Sequence, residues 1–495
     1  MDLLKAWPQA RLVGPMPALQ GITHDSREVR AGMAFVAVPG AAADGHDFIG
    51  AAAEAGAALA VVQADRQAKW APFAGRLPLL VVDDTRRAMG PIAAEVYGHP
   101  SRQLRLIGVT GTDGKSTTCH LTGHVLSRCG LGCGYLTSVG FDTGRGFEPN
   151  ELHMTTLEAT QIQERLAAGV SNGLEAMCVE ASSEGLAQHR LDGCEFDVAV
   201  FRNLSRDHLD FHGTMEAYRD AKGLLFEMLD GPSGKPFSKV AIVNADEPAS
   251  EHMLRRTKAR PLTYGIEHEA DVRGTQVEAR GLRTSFEVRA GGETVRAEAP
   301  LMIAYNCLAA VAVALSQGIG LREAAGALST FPGVPGRFEM IDCGQAFTVV
   351  VDIASTPAAL EFVLRTLRAA TKGRLWVVFG AAGGRDTARR EGMGRVAAEL
   401  ADRAVLTNED PRHEDPDAII AAIAEAMMAA GWREGEHFAR VPDRREAMLY
   451  AFERAGPGDT VLLAGKGTET FMVFGGRRVP WDERATAREL LSAGR

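Results

Sequence analysis

What this 495-residue chain lacks narrows its class before anything else does. It has no long hydrophobic run. The most apolar helical stretch, residues 301–315, is about 15 residues long and carries Asn306, short of the roughly 20 needed to cross a bilayer, so a buried core helix is the better reading. The N-terminus, MDLLKAWPQARLVG, has neither an apolar signal core nor a small-residue cleavage site, and a cytoplasmic location is expected. Cysteine is sparse and scattered: the seven residues fall at 119, 129, 133, 178, 194, 307 and 343. Only Cys129 and Cys133 lie close together, and no second pair matches them. Reduced thiols are therefore expected, with neither a disulfide framework nor a zinc site. Positive charge is not in excess. With 54 Lys and Arg against 63 Asp and Glu, the net charge is −9, which argues against a nucleic-acid binder. It leaves room for a local basic pocket that takes an anionic small molecule.

What is present is globular. Hydrophobic residues make up 46% and charged residues 24%, enough for sizeable cores. At roughly 100–200 residues per domain, about three domains are expected. Two Pro/Gly breaks interrupt the periodicity, Tyr97-Gly-His-Pro-Ser-Arg102 and Phe331-Pro-Gly-Val-Pro-Gly-Arg337. They divide the chain into 1–97, 98–331 and 332–495. The first segment has apolar runs at Met33–Val38 and Ala57–Val62 around an Ala-rich helix. The second has Leu104–Val109, Ala176–Val179, Val198–Phe201 and Val240–Val243. The third has Phe347–Val351, Arg374–Phe379, Ala404–Leu406 and Thr460–Leu463. Short apolar runs alternating with amphipathic stretches predict an α/β chain with parallel sheets covered by helices.

The strand Leu104–Val109 runs into Thr110-Gly-Thr-Asp-Gly-Lys-Ser-Thr117 and then a helix. Gly111 and Gly114 allow backbone N–H groups to close around phosphates, Lys115 reaches terminal phosphates, and the Ser116 hydroxyl suits Mg²⁺. The strict G-x-x-x-x-G-K-[ST] spacing fails, because Val109 stands where its first glycine would be. Strand, loop, Lys-Ser and helix in this order still predict nucleotide binding, with an ordinary glycine turn as the alternative. Glu180 follows the run Ala176–Val179 at the end of a neighbouring strand and is a second candidate for Mg²⁺. Lys222 on sequence alone is a surface helix lysine.

Collinear blocks across nearly the whole chain carry a resemblance. They are Gly111-Thr-Asp-Gly-Lys-Ser-Thr117, His24-Asp-Ser-Arg-Glu-Val29, Asp44-Gly-His-Asp-Phe48, Glu180-Ala-Ser-Ser-Glu-Gly-Leu186, Gln188-His-Arg190, Phe201 to Thr214, Tyr218-Arg-Asp-Ala-Lys222, Val334-Pro-Gly-Arg337 and Gly465-Lys-Gly-Thr-Glu469. Together they resemble the Mur ligase family, in the branch that adds a diamino acid to UDP-MurNAc-L-Ala-D-Glu in peptidoglycan synthesis. The resemblance implies an ADP-forming acid–amino-acid ligase with a UDP-sugar-binding N-terminal domain, a central ATP-binding domain and a C-terminal Rossmann-like domain. ATP activates a carboxylate as an acyl phosphate, which an amine then attacks.

It also implies roles for particular residues. Gly111, Thr112, Asp113, Gly114, Lys115, Ser116 and Thr117 would hold ATP phosphates. Asn203 and Asn306 would face the base, with Arg337 and Asp352 reaching phosphates and ribose. Ser116, Glu180, His208 and a carbamylated Lys222 would serve Mg²⁺. His24, Ser26, Asp44, Gly45 and His46 would hold the UDP-sugar. Thr155, Thr156, Ser182, Gln188 and Arg190 would hold the peptide end, with a structural ion pair as the alternative for Arg190. Arg385, Glu409, Asp410, Pro411, Arg412, Gly465 and Glu469 would form the diamino-acid site. The partners expected are UDP-MurNAc-dipeptide and a diamino acid, with no nucleic acid and no membrane span, and the chain is expected to be a monomer.

The chain departs from the family pattern at several positions. Asp113 replaces the usual loop Asn, Glu184 and Thr468 each replace a histidine, Ile303 stands where a first Asn is usual, and the usual D-Y-A-H-T-P block reads Asp352-Ile-Ala-Ser-Thr-Pro357. The D-N-P-R selectivity loop becomes Glu409-Asp-Pro-Arg412. Arg412 suits the distal carboxylate of meso-diaminopimelate. Asp410 would repel that carboxylate or attract the ammonium of L-lysine or L-ornithine, unless it neutralises Arg412. Meso-diaminopimelate is favoured, with the other two close. The rival readings are a folylpolyglutamate synthase-like ligase and a nucleotide-binding regulatory protein that has lost catalysis.

Overall fold

Apolar runs too short for helices become strands buried on both faces, and their registers set the position of every loop discussed below. The computed structural model describes residues 2–40, 43–152, 154–231, 233–280, 283–300, 303–384 and 387–493. These fall into two compact units, one of residues 1–275, 288–295 and 305–328, the other of 276–287, 296–304 and 329–495.

The first unit carries two sheets. A five-stranded sheet has the order Arg11–Val13, Leu79–Val82, Leu59–Gln63, Met33–Val36, Gly21–Thr23. It is parallel except for Arg11–Val13, which pairs antiparallel with Leu79–Val82. In the larger sheet, Cys133–Leu136, Ala176–Glu180, Arg105–Thr110, Val198–Phe201, Val240–Asn244 and Arg260–Gly265 lie side by side and parallel. Two short antiparallel strands, Gly140–Asp142 and Phe147–Pro149, extend one edge. The register pairs Glu180 with Val109 and Phe201 with Thr110. The loop after Thr110, the carboxylate of Glu180 and residues 202–203 therefore emerge together at the carboxyl ends of three adjacent strands, where open α/β sheets bind their ligands.

The opposite ends of these strands are fixed by charge. Asp197, just before Val198–Phe201, accepts from Leu106 N at 2.9 Å, Lys239 Nζ at 2.9 Å and Lys235 Nζ at 2.5 Å. The apolar stretch around 301–315 forms the helix Ala304–Ser316, whose Leu308, Val311 and Ala314 are fully buried. Among the described residues no helix is long and apolar enough to cross a membrane. All seven cysteines are free.

The second unit holds a six-stranded sheet in the order Glu339–Ile341, Thr348–Asp352, Thr460–Ala464, Leu375–Phe379, Arg403–Leu406, Phe438–Arg440. All pairs are parallel except the first. Arg444, at the start of the helix Arg444–Phe452, is buried and binds the Glu483 carboxylate at 2.8 and 2.7 Å. Its remaining donors reach Asn408 O at 3.1 Å and Ala464 O at 2.8 Å. One ion pair thus ties together the strand ends that carry Glu409 and Gly465.

Removing one partner of a fully buried pair strands the other charge. Glu483→Ala is expected to cost about 3–5 kcal/mol and to lower the unfolding transition of the C-terminal unit. Urea denaturation followed by Trp fluorescence measures it, and an unchanged midpoint would contradict this role of Arg444.

Candidate active site

The loop 111–114 is shaped by its glycines. Gly111 has φ of 152° and Gly114 of 78°. A Cβ on Gly111 would fall 2.7 Å from Arg202 Cβ, so neither backbone angle nor space admits a larger residue. Asn203 braces the loop, its Oδ1 accepting from Thr112 N at 3.0 Å and Asp113 N at 2.9 Å. Asn306 Nδ2 donates to Gly114 O at 2.9 Å and Thr118 Oγ1 at 3.0 Å. The two asparagines that the resemblance turns towards a base are spent here, at least in these atoms, on holding the loop. Lys115, at the start of the helix Lys115–Arg128, folds its Nζ onto Gly111 O (3.1 Å) and Thr112 O (2.8 Å). Asp113 and Thr117 complete the loop.

Lys222 is no surface lysine. Thr214 caps the helix Met215–Glu227, which buries Tyr218 and Lys222, four residues apart, on one face. Lys222 is 1% exposed, its Nζ donates to Gly111 O at 2.8 Å, and it lies 4.0 Å from the centroid of the Tyr218 ring. The Tyr218 hydroxyl in turn meets Thr112 Oγ1 at 3.1 Å. Burial, reinforced by the positive charge of Lys115, pushes the Lys222 amine down to about 6. It is therefore largely neutral at pH 7.

Ser116 and Glu180 are brought together. Ser116 Oγ donates to Glu180 Oε2 at 3.0 Å and meets Ser138 Oγ at 3.0 Å, while Ser138 N donates to the same Glu180 oxygen at 2.8 Å. Two hydroxyls and a carboxylate beside a phosphate loop are a hard-oxygen set that fits Mg²⁺. Among the described residues, no three His, Cys, Asp or Glu side chains gather around one point. His208 is drawn instead to Glu184, Nδ1 to Oε1 at 3.1 Å, and to Asp207 at 3.4 Å.

The peptide-end positions converge in the same unit. Thr156 Oγ1 donates to Glu180 O at 2.8 Å and meets Ser182 Oγ at 2.9 Å. Arg190 reaches Thr156 O at 3.0 Å, Gln188 Oε1 at 2.8 Å and Glu158 Oε1 at 3.3 Å. Glu158 also binds Arg86 at 2.5 Å. Half-buried Thr155 adjoins this group. His24 Nδ1 meets Thr160 Oγ1 at 3.1 Å, and burial lowers its pKa against the pull of Glu158. Ser26 is half-buried nearby in sequence. Asp44, Gly45 and His46 form a corner of their own. His46 is buried, with Nδ1 2.7 Å from Asp44 and Nε2 accepting from Gln63 N at 2.9 Å. Burial pushes the Asp44 carboxyl up, but bonds from Lys69 and His46 outweigh it and hold it well below the usual range.

In the second unit, exposed Arg337 closes a turn through its N–H to Val334 O at 3.0 Å. Asp352 accepts from Phe338 N and Ala354 N, both at 2.8 Å, and burial raises its pKa. Asp410 Oδ1 accepts from Lys466 Nζ and from Val473 N, each at 3.0 Å. Lys466 is fully buried and pairs also with Glu469. Arg412 holds a left-handed backbone (φ 57°), and its side chain makes no ion pair among the described residues. The carbonyl of Pro411 packs against Gly383. Glu409 is buried below Gly465, with Oε2 unpartnered. Arg385 lies outside the described residues. Sequence reasoning missed Ser138, Tyr218, Glu158, Arg86 and Lys466. Only Tyr218, an aromatic four residues before Lys222, left a local signal.

Burial pushes the Glu409 carboxyl up to about 8, against the pull of Arg444 and Lys466. A carboxyl that keeps its proton only when folded favours the native state at low pH and loses that advantage as pH rises from about 4.5 towards 8. Wild-type stability is therefore expected to fall between pH 5.5 and 8.5 by a component that Glu409→Gln removes. Parallel pH profiles of thermal stability for the two proteins would contradict it.

Three family descriptions match the chain: Mur ligase family, catalytic domain, over residues 18–97; Mur ligase middle domain over 109–314; and Mur ligase, glutamate ligase domain, over 336–467. A UDP-N-acetylmuramyl-tripeptide synthetase of Roseiflexus sp. (strain RS-1) is 43% identical, with 96% of this chain and 95% of the relative covered. A UDP-N-acetylmuramoyl-L-alanyl-D-glutamate–2,6-diaminopimelate ligase of Geobacillus thermodenitrificans (strain NG80-2) is 41% identical over the same shares. A solved structure of a ligase of the latter name superposes with a TM-score of 0.68 at 30% identity, covering 100% of this chain and 99% of its own. A folylpolyglutamate synthase of Mycobacterium tuberculosis shares the fold at 17% identity, with a TM-score of 0.58 and 77% of this chain covered.

Proposed function

This chain belongs to the Mur ligase family, and from that premise we propose that it adds meso-diaminopimelate to UDP-MurNAc-L-Ala-D-Glu in an ATP- and Mg²⁺-dependent reaction. The observation that carries the reading is the identity of 41–43% to tripeptide synthetases across 96% of the chain. The synthase-like and regulatory alternatives have only a fold-level likeness and a few altered motif residues behind them. We keep domain limits of 1–97, 98–331 and 332–495, whose second boundary falls between the matched regions.

ATP supplies the phosphoryl group that turns the substrate carboxylate into an acyl phosphate, which the amine of the incoming amino acid attacks. Lys115 moves from its loop carbonyls to the transferred phosphoryl group, whose charge grows towards the transition state. Ser116, Ser138 and Glu180 would hold Mg²⁺ beside it, where the ion would offset phosphate charge. Lys222, neutral at physiological pH, attacks CO₂ through its nitrogen and releases a proton. The carbamate formed would be an anion that could help to hold Mg²⁺. His208, held by Glu184, would be the candidate ligand for a second ion. Arg190 holds the peptide carboxylate, and His24 with Ser26 faces the UDP-sugar.

The choice of diamino acid turns on Asp410. One oxygen of its carboxylate, Oδ1, accepts from both Lys466 Nζ and Val473 N. That pairing ties Asp410 to the protein and weakens its pull on a side-chain ammonium or on Arg412, whose guanidinium suits a second carboxylate.

Lys115→Ala should lower kcat by about 10²–10³-fold in a folded protein, read as ADP release dependent on both substrates. Normal turnover would contradict the loop assignment. Lys222→Ala should be inactive and regain turnover with small carboxylates, and full activity without them would dismiss the carbamate. With diaminopimelate, lysine and ornithine compared, diaminopimelate should lead, and Arg412→Ala should cost it about tenfold in kcat/KM, about 1.4 kcal/mol. A tenfold preference for lysine or ornithine would overturn the diaminopimelate reading.

A further inference from the structure

The strand Val198–Phe201 delivers one cation to the phosphate loop that neither the motif nor the mechanism above uses. Arg202 is 6% exposed. Its N–H donates to Thr110 O at 3.0 Å, and its carbonyl accepts from Asn244 Nδ2 at 3.2 Å, so its backbone is fixed on both sides. Its guanidinium lies against the inner side of Gly114. A Cβ on that glycine would fall 2.6 Å from Nη2 and 3.0 Å from Nε. The side chain hydrogen-bonds the Tyr264 hydroxyl, a neutral group. Nε and Nη1 are enclosed and have no acceptor.

No carboxylate pairs with Arg202 among the described residues. The acids that act on Tyr264 are committed elsewhere. Asp246 accepts from the backbone N–H groups of Ile266, Glu267 and His268 and from the Tyr305 hydroxyl. Glu247 accepts from Leu204 N. A buried guanidinium without counter-charge is a liability in a finished fold. This one faces the back of a loop already crowded by Lys115 and Lys222, whose hydrogen bonds go to the neutral carbonyls of Gly111 and Thr112.

We propose that the missing counter-charge of Arg202 is the phosphate chain of the nucleotide seated on the loop 111–117, and that Arg202 is a positioning residue which makes affinity in this chain rise with the number of phosphates. The inference rests on the nucleotide reading of that loop. Arg202 does not touch the nucleotide; it acts across Gly114, in a low-dielectric setting where charge is poorly screened.

The test is calorimetric binding of adenosine, AMP, ADP and ATP to the full-length wild type, Arg202→Met and Arg202→Lys, with thermal unfolding of each protein with and without ADP. Arg202→Met should leave adenosine within about twofold and weaken ADP and ATP by about tenfold or more. Arg202→Lys should recover part of the loss. Unliganded Arg202→Met should unfold at or above the wild-type temperature, while its ADP-induced stabilisation shrinks. Equal weakening for adenosine and ATP would overturn the proposal, because the guanidinium would then be shaping the base site. So would unchanged affinity for ADP. If Arg202→Met does not fold, Arg202→Gln is judged by the same split, and failure of both to fold overturns it as well. Wild type that binds neither ADP nor ATP would instead remove the nucleotide reading of the loop itself, and the proposal with it.

Discussion

Positive charge crowded around one short loop is the constraint on which the first unit depends. Lys115 and Lys222 both lean on the carbonyl of Gly111, at 3.1 and 2.8 Å. Carbonyl oxygens are partial charges and would not neutralise two ammonium groups held this close. The strain appears where it must, in the amine that can most readily give up its proton: Lys222 falls to about 6, with burial the larger cause and Lys115 the next. A site that lowers its own positive charge in the absence of an anion is prepared for one. The glycines, the bracing by Asn203 and Asn306, and the hydroxyl of Tyr218 all keep the loop in place against this repulsion.

The same logic runs differently in the second unit, where charges are paired internally. Arg444 with Glu483 is a fully buried one-to-one pair, and buried Lys466 holds two carboxylates, Asp410 and half-buried Glu469. Such pairs add little net stability over apolar replacements, but they fix geometry because breaking one is costly. Here the fixed geometry concerns the strand ends at Asn408 and Ala464. Glu409 is buried among them with Oε2 unpartnered, and burial raises its pKa against the pull of Arg444 and Lys466.

Much of the fold was legible because a parallel strand buried on both faces is a short apolar run. Ala176–Glu180, Val198–Phe201 and Val240–Asn244 fall within a residue of their expected limits. The short antiparallel strands at 140–142 and 147–149 have no such run and were invisible. The loop was legible because its chemistry is local: strand, glycines, lysine, serine and helix are contiguous. What could not be read was the partner of each charged residue. Lys222 looked like a surface lysine because the next-door residues say nothing about Gly111, 111 positions away in sequence. The motif around Asp44 and His46 likewise does not reveal that they bond to each other or that His46 accepts from Gln63 N.

Asp410 shows how far a partner can change the meaning of a substitution. Read alone, an acid in place of an amide is a negative charge added to a substrate pocket. In the fold it is half of a pair with Lys466, 56 residues away. Lys466 offsets part of its charge, since that ammonium also serves Glu469. The Val473 N–H held by the same carboxylate oxygen fixes the strand Phe471–Phe474. Arg412 N–H in turn donates to Val473 O at 2.8 Å. The acid thus determines where the arginine's backbone sits, including its left-handed conformation. A residue that looked like an electrostatic competitor of Arg412 is, in this geometry, part of the scaffold that presents it.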